Sequence, residues 1–174
     1  PLYGSLLRRG LFFYRILKYN RKKWREDIFM AKTFEDYKEG LETFNGAAKV
    51  LHREAVSLSK NGKASMLCIP ETVMVAFACE IGLKTLLVKR QIEFRSEHKL
   101  EVLFALLGSD KDEIINRTID IFKKNRDEYC ADQFWTELRE VSNLFVQTRY
   151  FFEKEDDMRI NIIFLLKFNQ AITE

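Results

Sequence analysis

Residues 73–88 have the sequence VMVAFACEIGLKTLLV, which is apolar on nearly every side of a helix. Glu80 and Lys84 are the only charged residues within it. A helix without a continuous polar face is normally enclosed by other helices. We therefore predict that this segment, which starts near Pro70 and ends near Lys89, is the central helix of the fold.

A second helix is predicted immediately before this segment. Its apolar residues recur at spacings of three and four: Phe34, Tyr37, Leu41, Phe44, Ala48, Leu51, Ala55 and Leu58. That spacing gives one apolar stripe along a helix of about 27 residues. Thr33 is a plausible N-cap, with Asp36 three residues later, and Asn61-Gly62 is a typical stop. Gly40 and Gly46 inside the helix should each cost about 1 kcal/mol relative to Ala.

Four further helices are expected. They run from Ser96 or Glu97 to Gly108, from Ser109 or Asp110 past Phe122, from Asp132 to Phe152, and from Asp157 to Ala171. Short connections favour antiparallel neighbours. Two prolines and seven glycines in 174 residues are too few for a strand-rich sandwich. The predicted fold is all-α, an antiparallel up-and-down helical bundle of about five to six helices.

The net charge of +3 conceals a difference between two parts of the chain. Residues 1–29 contain eight basic and two acidic residues, a net +6, so residues 30–174 carry −3. We expect 1–29 to be a basic leader and 30–174 to be the helical domain. The leader could bind a membrane surface or an acidic partner. Alternatively, Met30 is the true start and the leader is a segment translated from upstream, to be excluded from the fold.

The sequence lacks the motifs that several kinds of catalytic and ligand-binding site require. The scattered glycines form no P-loop, dinucleotide fingerprint or nucleophile elbow. Cys68, Cys79 and Cys130 lack CxxC spacing, and His52 and His98 are the only histidines. We therefore expect the cysteines to be reduced and to have a structural role in a cytoplasmic protein. We expect no metal and no cofactor.

The two charges of the central segment have two interpretations. Glu80 and Lys84 are four residues apart and so share one face of the helix. They could form an intrahelical ion pair at a seam of the bundle. They could instead belong to a polar cluster at a partner interface or ligand groove.

Three segments together resemble the prokaryotic HEPN superfamily. They are VAFACEIGLKTLL at 75–87, EHKLEVLFALL at 97–107 and FVQTRYFFE at 145–153, and the resemblance covers most of residues 33–155. It implies a small helical bundle that usually forms a homodimer in toxin–antitoxin or phage-defence systems. Many members act on RNA or pair with nucleotidyltransferases.

The chain departs from the ribonuclease motif of this superfamily, in which His follows Arg after four to six residues. No Arg stands at that distance before His52 or His98, and after Arg149 the corresponding positions hold Lys154, Glu155 and Asp156. An ordinary lysine or carboxylate is a poor general base near neutral pH. We therefore predict binding residues rather than catalytic ones: Arg149, Tyr150, Glu153, Glu80, Lys84 and His98.

Arg149 and Tyr150 can have a structural or a binding role. Arg149 could pair with Glu153 one turn later while the ring of Tyr150 packs. Alternatively, Arg149 faces a dimer groove and holds a phosphate or a partner's carboxylate, with Tyr150 stacked on a base. His98 is expected in the first turn of its helix as a structural residue, and His52 is expected to face solvent.

Three functions follow from these observations. The first is a non-catalytic, HEPN-like interaction module that binds a protein, RNA or a nucleotide. The second is an atypical ribonuclease that uses Arg149 with His98 or carboxylates. The third is a membrane-associated or scaffold protein anchored by residues 1–29, which a start at Met30 disfavours. Because the body carries −3, a cognate nucleotidyltransferase or antitoxin is favoured over bare RNA.

Overall fold

A computed structural model describes residues 33–60, 67–124, 128–149 and 160–174. Every regular element in these ranges is an α-helix, which confirms the all-α prediction. The helices are α1 (Phe34–Lys60), α2 (Cys68–Lys89), α3 (Leu100–Ala105), α4 (Asp110–Lys123), α5 (Ala131–Val141), α6 (Leu144–Arg149) and α7 (Ile162–Thr173). The leader at 1–29 and the Met30 start lie outside the described residues.

The helices α1 and α2 pack as an antiparallel pair. Phe44 meets Phe77 edge-on with ring centroids 4.3 Å apart, and further along α1 His52 meets Glu71, at the start of α2. The helix α1 has its predicted bounds, because Thr33 and Asp36 form a reciprocal cap at its start. The Thr33 backbone N–H donates to the Asp36 carboxylate at 2.7 Å, and the Asp36 N–H donates to Thr33 Oγ1 at 3.3 Å.

The helix α2 is central, as predicted. It packs against α1, α3, α6 and α7. Cys79 is fully buried, and its Sγ donates to the carbonyl of Leu165 on α7 at 3.5 Å. A Cβ at Gly82 would lie 2.8 Å from Cγ2 of Ile172, so α7 approaches α2 where the glycine leaves room. Within the described ranges, no helix combines the length and apolar character needed to cross a bilayer.

A cluster of phenylalanines joins α3 and α5 to α7. Phe134 of α5 lies 5.6 Å from Phe164 and 5.7 Å from Phe168 between ring centroids, and Phe104 of α3 lies 5.6 Å from Phe168. All four rings are at most 2% exposed. Aromatic pairs in edge-on contact add to the stabilisation from burial itself. Contacts between aromatic rings therefore hold α7 against α3 and α5.

The helix predicted from Asp132 to Phe152 is divided, because the chain turns at Ser142 and Asn143 between α5 and α6. At this turn the Ser142 carbonyl accepts from the Leu100 N–H at 3.1 Å, and Ser142 Oγ accepts from the Glu101 N–H at 3.0 Å. These bonds satisfy donors at the start of α3 that lack partners within their own helix. Ser142, in the turn between α5 and α6, thus caps the start of α3.

Two predicted helix starts were wrong. Helix α3 begins at Leu100 rather than at Ser96 or Glu97, because the Glu97 carboxylate accepts the backbone N–H groups of His98 and Lys99 in a turn. Helix α7 begins at Ile162 rather than Asp157, with Asn161 as its N-cap. The Asn161 side chain accepts from the Phe164 N–H at 3.1 Å. The fourth helix starts at Asp110, as predicted.

Candidate functional site

Three of the predicted site residues meet at one carboxylate. On α2, Lys84 Nζ donates to Glu80 Oε1 at 2.7 Å. His98 approaches from the segment before α3, and its Nδ1 lies 2.9 Å from the same oxygen. Since a carboxylate is an acceptor, the ring presents Nδ1–H to it. One oxygen of Glu80 therefore serves both a cation and an imidazole, in what we call the Glu80 cluster (Glu80, Lys84 and His98).

Two charged side chains of the Glu80 cluster are buried, which carries a cost in desolvation free energy. The side chains of Glu80 and Lys84 are 1% and 8% exposed, whereas that of His98 is 51% exposed. Glu80 Oε2 is buried and has no hydrogen-bond partner among the residues that the structure describes. Removing two charges from water costs several kcal/mol per ion, and mutual attraction repays this cost only when the geometry and remaining hydrogen bonds are good. An ion pair with one oxygen unsatisfied is thus weak evidence for a purely stabilising role.

Aromatic side chains cover the cluster. Lys84 Nζ lies 5.6 Å from the centroid of the Phe94 ring, within the range of a cation–π contact. Tyr37 of α1 packs edge-on against Phe94 at 5.9 Å. Partial burial, followed by the negative charge of Glu80, raises the pKa of Tyr37. Phe94 therefore ties the segment between α2 and α3 to both α1 and the buried lysine.

The segment that carries His98 is held in an uncommon backbone conformation. Gln91 and Arg95 have φ angles of +59° and +38°, a region that side chains other than glycine rarely adopt. Glu97 lies beside His98, and its carboxylate accepts two backbone N–H groups. The bond from Lys99 contributes most to the lowered pKa of Glu97. The position of His98 is therefore fixed on both sides, by Glu97 and by Glu80.

A shallow concavity adjoins this segment. It has a volume of about 390 Å³, and its lining residues are Glu93, Phe94, Arg95, Ser96, Glu97, Val102 and Leu106. Val102 of α3 and Leu106, the residue that follows α3, are 39% and 38% exposed. The concavity thus combines two exposed aliphatic side chains with charges of both signs. We call it the α3 concavity.

The second histidine forms a similar pair at the other end of α2. His52 Nδ1 lies 2.6 Å from Glu71 Oε1, with side-chain exposures of 46% and 7%. His52 is half-exposed, in agreement with its predicted solvent contact. Its buried partner was missed, because the pairing depends on how α1 and α2 align rather than on a local motif. Tyr37 and Phe94 were missed as neighbours of the Glu80 cluster for the same reason.

The other predicted site residues are not brought into this cluster by the described coordinates. Arg149 is the last residue of α6, and nothing is described of its side chain. Tyr150 and Glu153 lie outside the described residues. Of the histidine predictions, one was wrong: His98 lies before the first turn of α3 rather than within it. The predicted pair of Glu80 and Lys84 is confirmed.

No protein-family model, curated protein or solved structure matches this chain in the comparisons that we made. The resemblance to the HEPN superfamily therefore stays a prediction.

Proposed function

We propose that this chain is a non-catalytic, HEPN-like interaction module that binds a cognate protein in a prokaryotic toxin–antitoxin or phage-defence system. In this proposal the module is a cytoplasmic homodimer, and its partner is an antitoxin or a nucleotidyltransferase. The α3 concavity is the contact surface. The Glu80 cluster holds the segment that borders it.

The proposal rests on the combination of aliphatic and charged side chains in the α3 concavity. Val102 and Leu106 offer aliphatic contacts, while Glu93, Arg95 and Glu97 supply charges of both signs at the edge. Protein interfaces combine an apolar centre with a polar rim. A nucleic-acid site instead needs clustered lysine and arginine. The partner expected here inserts an apolar side chain beside Val102 and Leu106 and pairs with the charges around them.

Burial favours binding over catalysis at the Glu80 cluster. A substrate in solvent can reach the half-exposed His98 ring but not the enclosed Lys84 ammonium or Glu80 carboxylate. RNA cleavage without a metal needs a base, an acid and stabilisation of the phosphorane charge. The partners of the two imidazoles, Glu71 and Glu80, are nine residues apart on α2, which is about 13.5 Å along the helix. His52 and His98 of one chain therefore do not act on one phosphate.

The ribonuclease alternative has one observation in its favour. Glu80 holds His98 through Nδ1 and leaves Nε2 as the second ring nitrogen. A carboxylate that orients a histidine in this way also supports general-base catalysis in hydrolytic enzymes. In this alternative His98 removes the proton of a ribose hydroxyl, and Arg149 contacts the phosphate. Incubation of mixed RNA with the wild type, His98→Ala and Arg149→Ala separates this function from the proposed one.

Binding of a defined protein tests the proposal. The full chain is co-expressed with the product of the adjacent gene, and the affinity of the purified pair is measured by calorimetry. Val102→Asp places a charge in the α3 concavity, whereas Val50→Asp makes the same change at a site on α1 that is 51% exposed. We expect the first variant to lose at least about tenfold in affinity, or about 1.4 kcal/mol, and the second to bind like the wild type. Equal affinities for the two variants would exclude the α3 concavity as the contact surface.

A further inference from the structure

A groove between α1 and α7 has no role in the function proposed above. It has a volume of about 710 Å³, which is within the usual range for small-molecule pockets. One wall comes from α1 and carries Asn45, Ala48, Lys49 and His52. The other comes from α7 and the residue after it, and carries Ile163, Leu166, Lys167, Asn169, Gln170 and Glu174. The spacing of three and four places the α1 residues on one face of their helix.

Lysine residues of both helices line this groove. Lys49 of α1 is exposed, and Lys167 of α7 is half-buried with its Nζ 5.2 Å from the centroid of the Phe122 ring. Neither lysine forms an ion pair with a described residue. His52 adds a ring that is fixed through Nδ1 by the buried Glu71, so that Nε2 remains for a ligand. Among the described residues, Glu174 is the only one with a carboxylate side chain that lines the groove, and this carboxylate accepts from Gln170 Nε2 at 2.7 Å.

A hydrogen bond between two side-chain amides joins the walls of the groove. Asn169 Nδ2 of α7 donates to Asn45 Oδ1 of α1 at 2.7 Å. Both residues line the groove.

We propose that the α1–α7 groove binds a phosphate monoester. Lys49, Lys167 and the Nε2 nitrogen of His52 contact the phosphate oxygens. The organic part packs on Leu166 and Ile163. Cationic donors form the strongest hydrogen bonds to phosphate, and an apolar wall with a few polar groups is typical of ligand sites. The phosphate could belong to a small sugar phosphate or to the 5′ end of an RNA.

Calorimetry on the full chain at low salt tests this proposal with four probes. They are ribose 5-phosphate, ribose, and an RNA hexamer carrying either a 5′-phosphate or a 5′-hydroxyl. Saturable binding of ribose 5-phosphate but not of ribose supports a small-molecule ligand. Binding of only the phosphorylated hexamer supports an RNA end. Equal binding of the two hexamers without binding of ribose 5-phosphate, or no saturable binding of any probe, would overturn the proposal.

Matched lysine variants locate the site. Lys49→Gln removes one charge inside the groove, and Lys38→Gln removes the same charge from an exposed position on α1 beside Glu35. We expect Lys49→Gln to weaken phosphate binding by roughly tenfold and Lys38→Gln to leave it unchanged. Both positions are exposed on the surface of α1, so both variants should fold, and thermal unfolding checks this. Equal losses in the two variants, or no loss in either, would overturn the assignment of the groove.

Discussion

The Glu80 carboxylate lies 2.9 Å from Nδ1 of His98, although the two residues are 18 positions apart and the histidine is on a non-helical segment. The same carboxylate oxygen binds Lys84 at 2.7 Å. A buried acid thus connects the central helix to the segment that borders the α3 concavity. This relationship makes the Glu80 cluster a means of holding a surface segment in place.

Neutralising Glu80 should destabilise the fold. Glu80→Gln keeps the shape of the side chain but leaves the enclosed Lys84 ammonium without its counter-ion. Breaking a buried pair in this way costs about 3–5 kcal/mol, whereas replacing both partners with apolar residues is often neutral or stabilising. We expect this loss for Glu80→Gln in urea unfolding, and a stability within about 1 kcal/mol of the wild type for Glu80→Leu with Lys84→Met. A loss below about 1 kcal/mol in the single variant would show that Lys84 is hydrated or otherwise compensated.

Two glycine variants test the close approach of α7 to α2. A Cβ at Gly82 would lie 2.8 Å from Ile172 Cγ2, while a Cβ at Gly46 would have no such neighbour within 4 Å in the described part of the chain. Overpacking costs about 1–3 kcal/mol, so we expect Gly82→Ala to lower the free energy of unfolding despite its better helix propensity. Gly46→Ala should raise it by up to about 1 kcal/mol. A stabilised Gly82→Ala protein would mean that α7 moves away at little cost.

The three cysteines should differ in reactivity. Cys79 is fully buried, and burial raises the pKa of its thiol well above the ordinary value, whereas Cys68 and Cys130 are exposed. Because the thiolate is the reactive form, Ellman's reagent at pH 8 should modify two thiols rapidly in the folded chain and the third only after denaturation. Rapid modification of three thiols in the folded chain would contradict the enclosed position of α2.

Acidification should release the turn before α3. The backbone N–H of Lys99 holds the pKa of Glu97 below its ordinary value. The bond therefore contributes fully above the pKa of the unfolded chain and is lost as the pH falls through the lower folded-state pKa. In an NMR titration, the Lys99 amide should shift with a midpoint below that of an unperturbed glutamate. Glu97→Gln should abolish this transition, Glu93→Gln should retain it, and persistence in Glu97→Gln would assign it to another group.

Hydrophobic spacing predicted whole helices well and failed at turns fixed by distant partners. The bounds of α1 followed from its apolar stripe and from the cap between Thr33 and Asp36, which are local features. The break at Ser142 could not be predicted, because the apolar spacing continues through it and the turn is selected by bonds to Leu100 and Glu101. Tertiary hydrogen bonds overrode a local pattern there.

The candidate site was predictable to the same limited extent. The spacing of Glu80 and Lys84 places them on one helix face whatever the rest of the fold, and the pair forms. The approach of His98 depends on a segment in which Gln91 and Arg95 have positive φ angles. Glutamine and arginine rarely adopt this conformation, so the sequence does not predict it. The pair of His52 and Glu71 depends on the alignment of α1 with α2. Sequence periodicity contains no information about either.

Incubation of the full-length chain with mixed RNA is the most direct measurement of whether this protein binds a partner or cleaves RNA. The wild type is compared with His98→Ala and Arg149→Ala, and the products are resolved on a denaturing gel. We predict that the RNA stays intact with all three proteins. Cleavage by the wild type that disappears in either variant would contradict a non-catalytic module and establish the ribonuclease alternative.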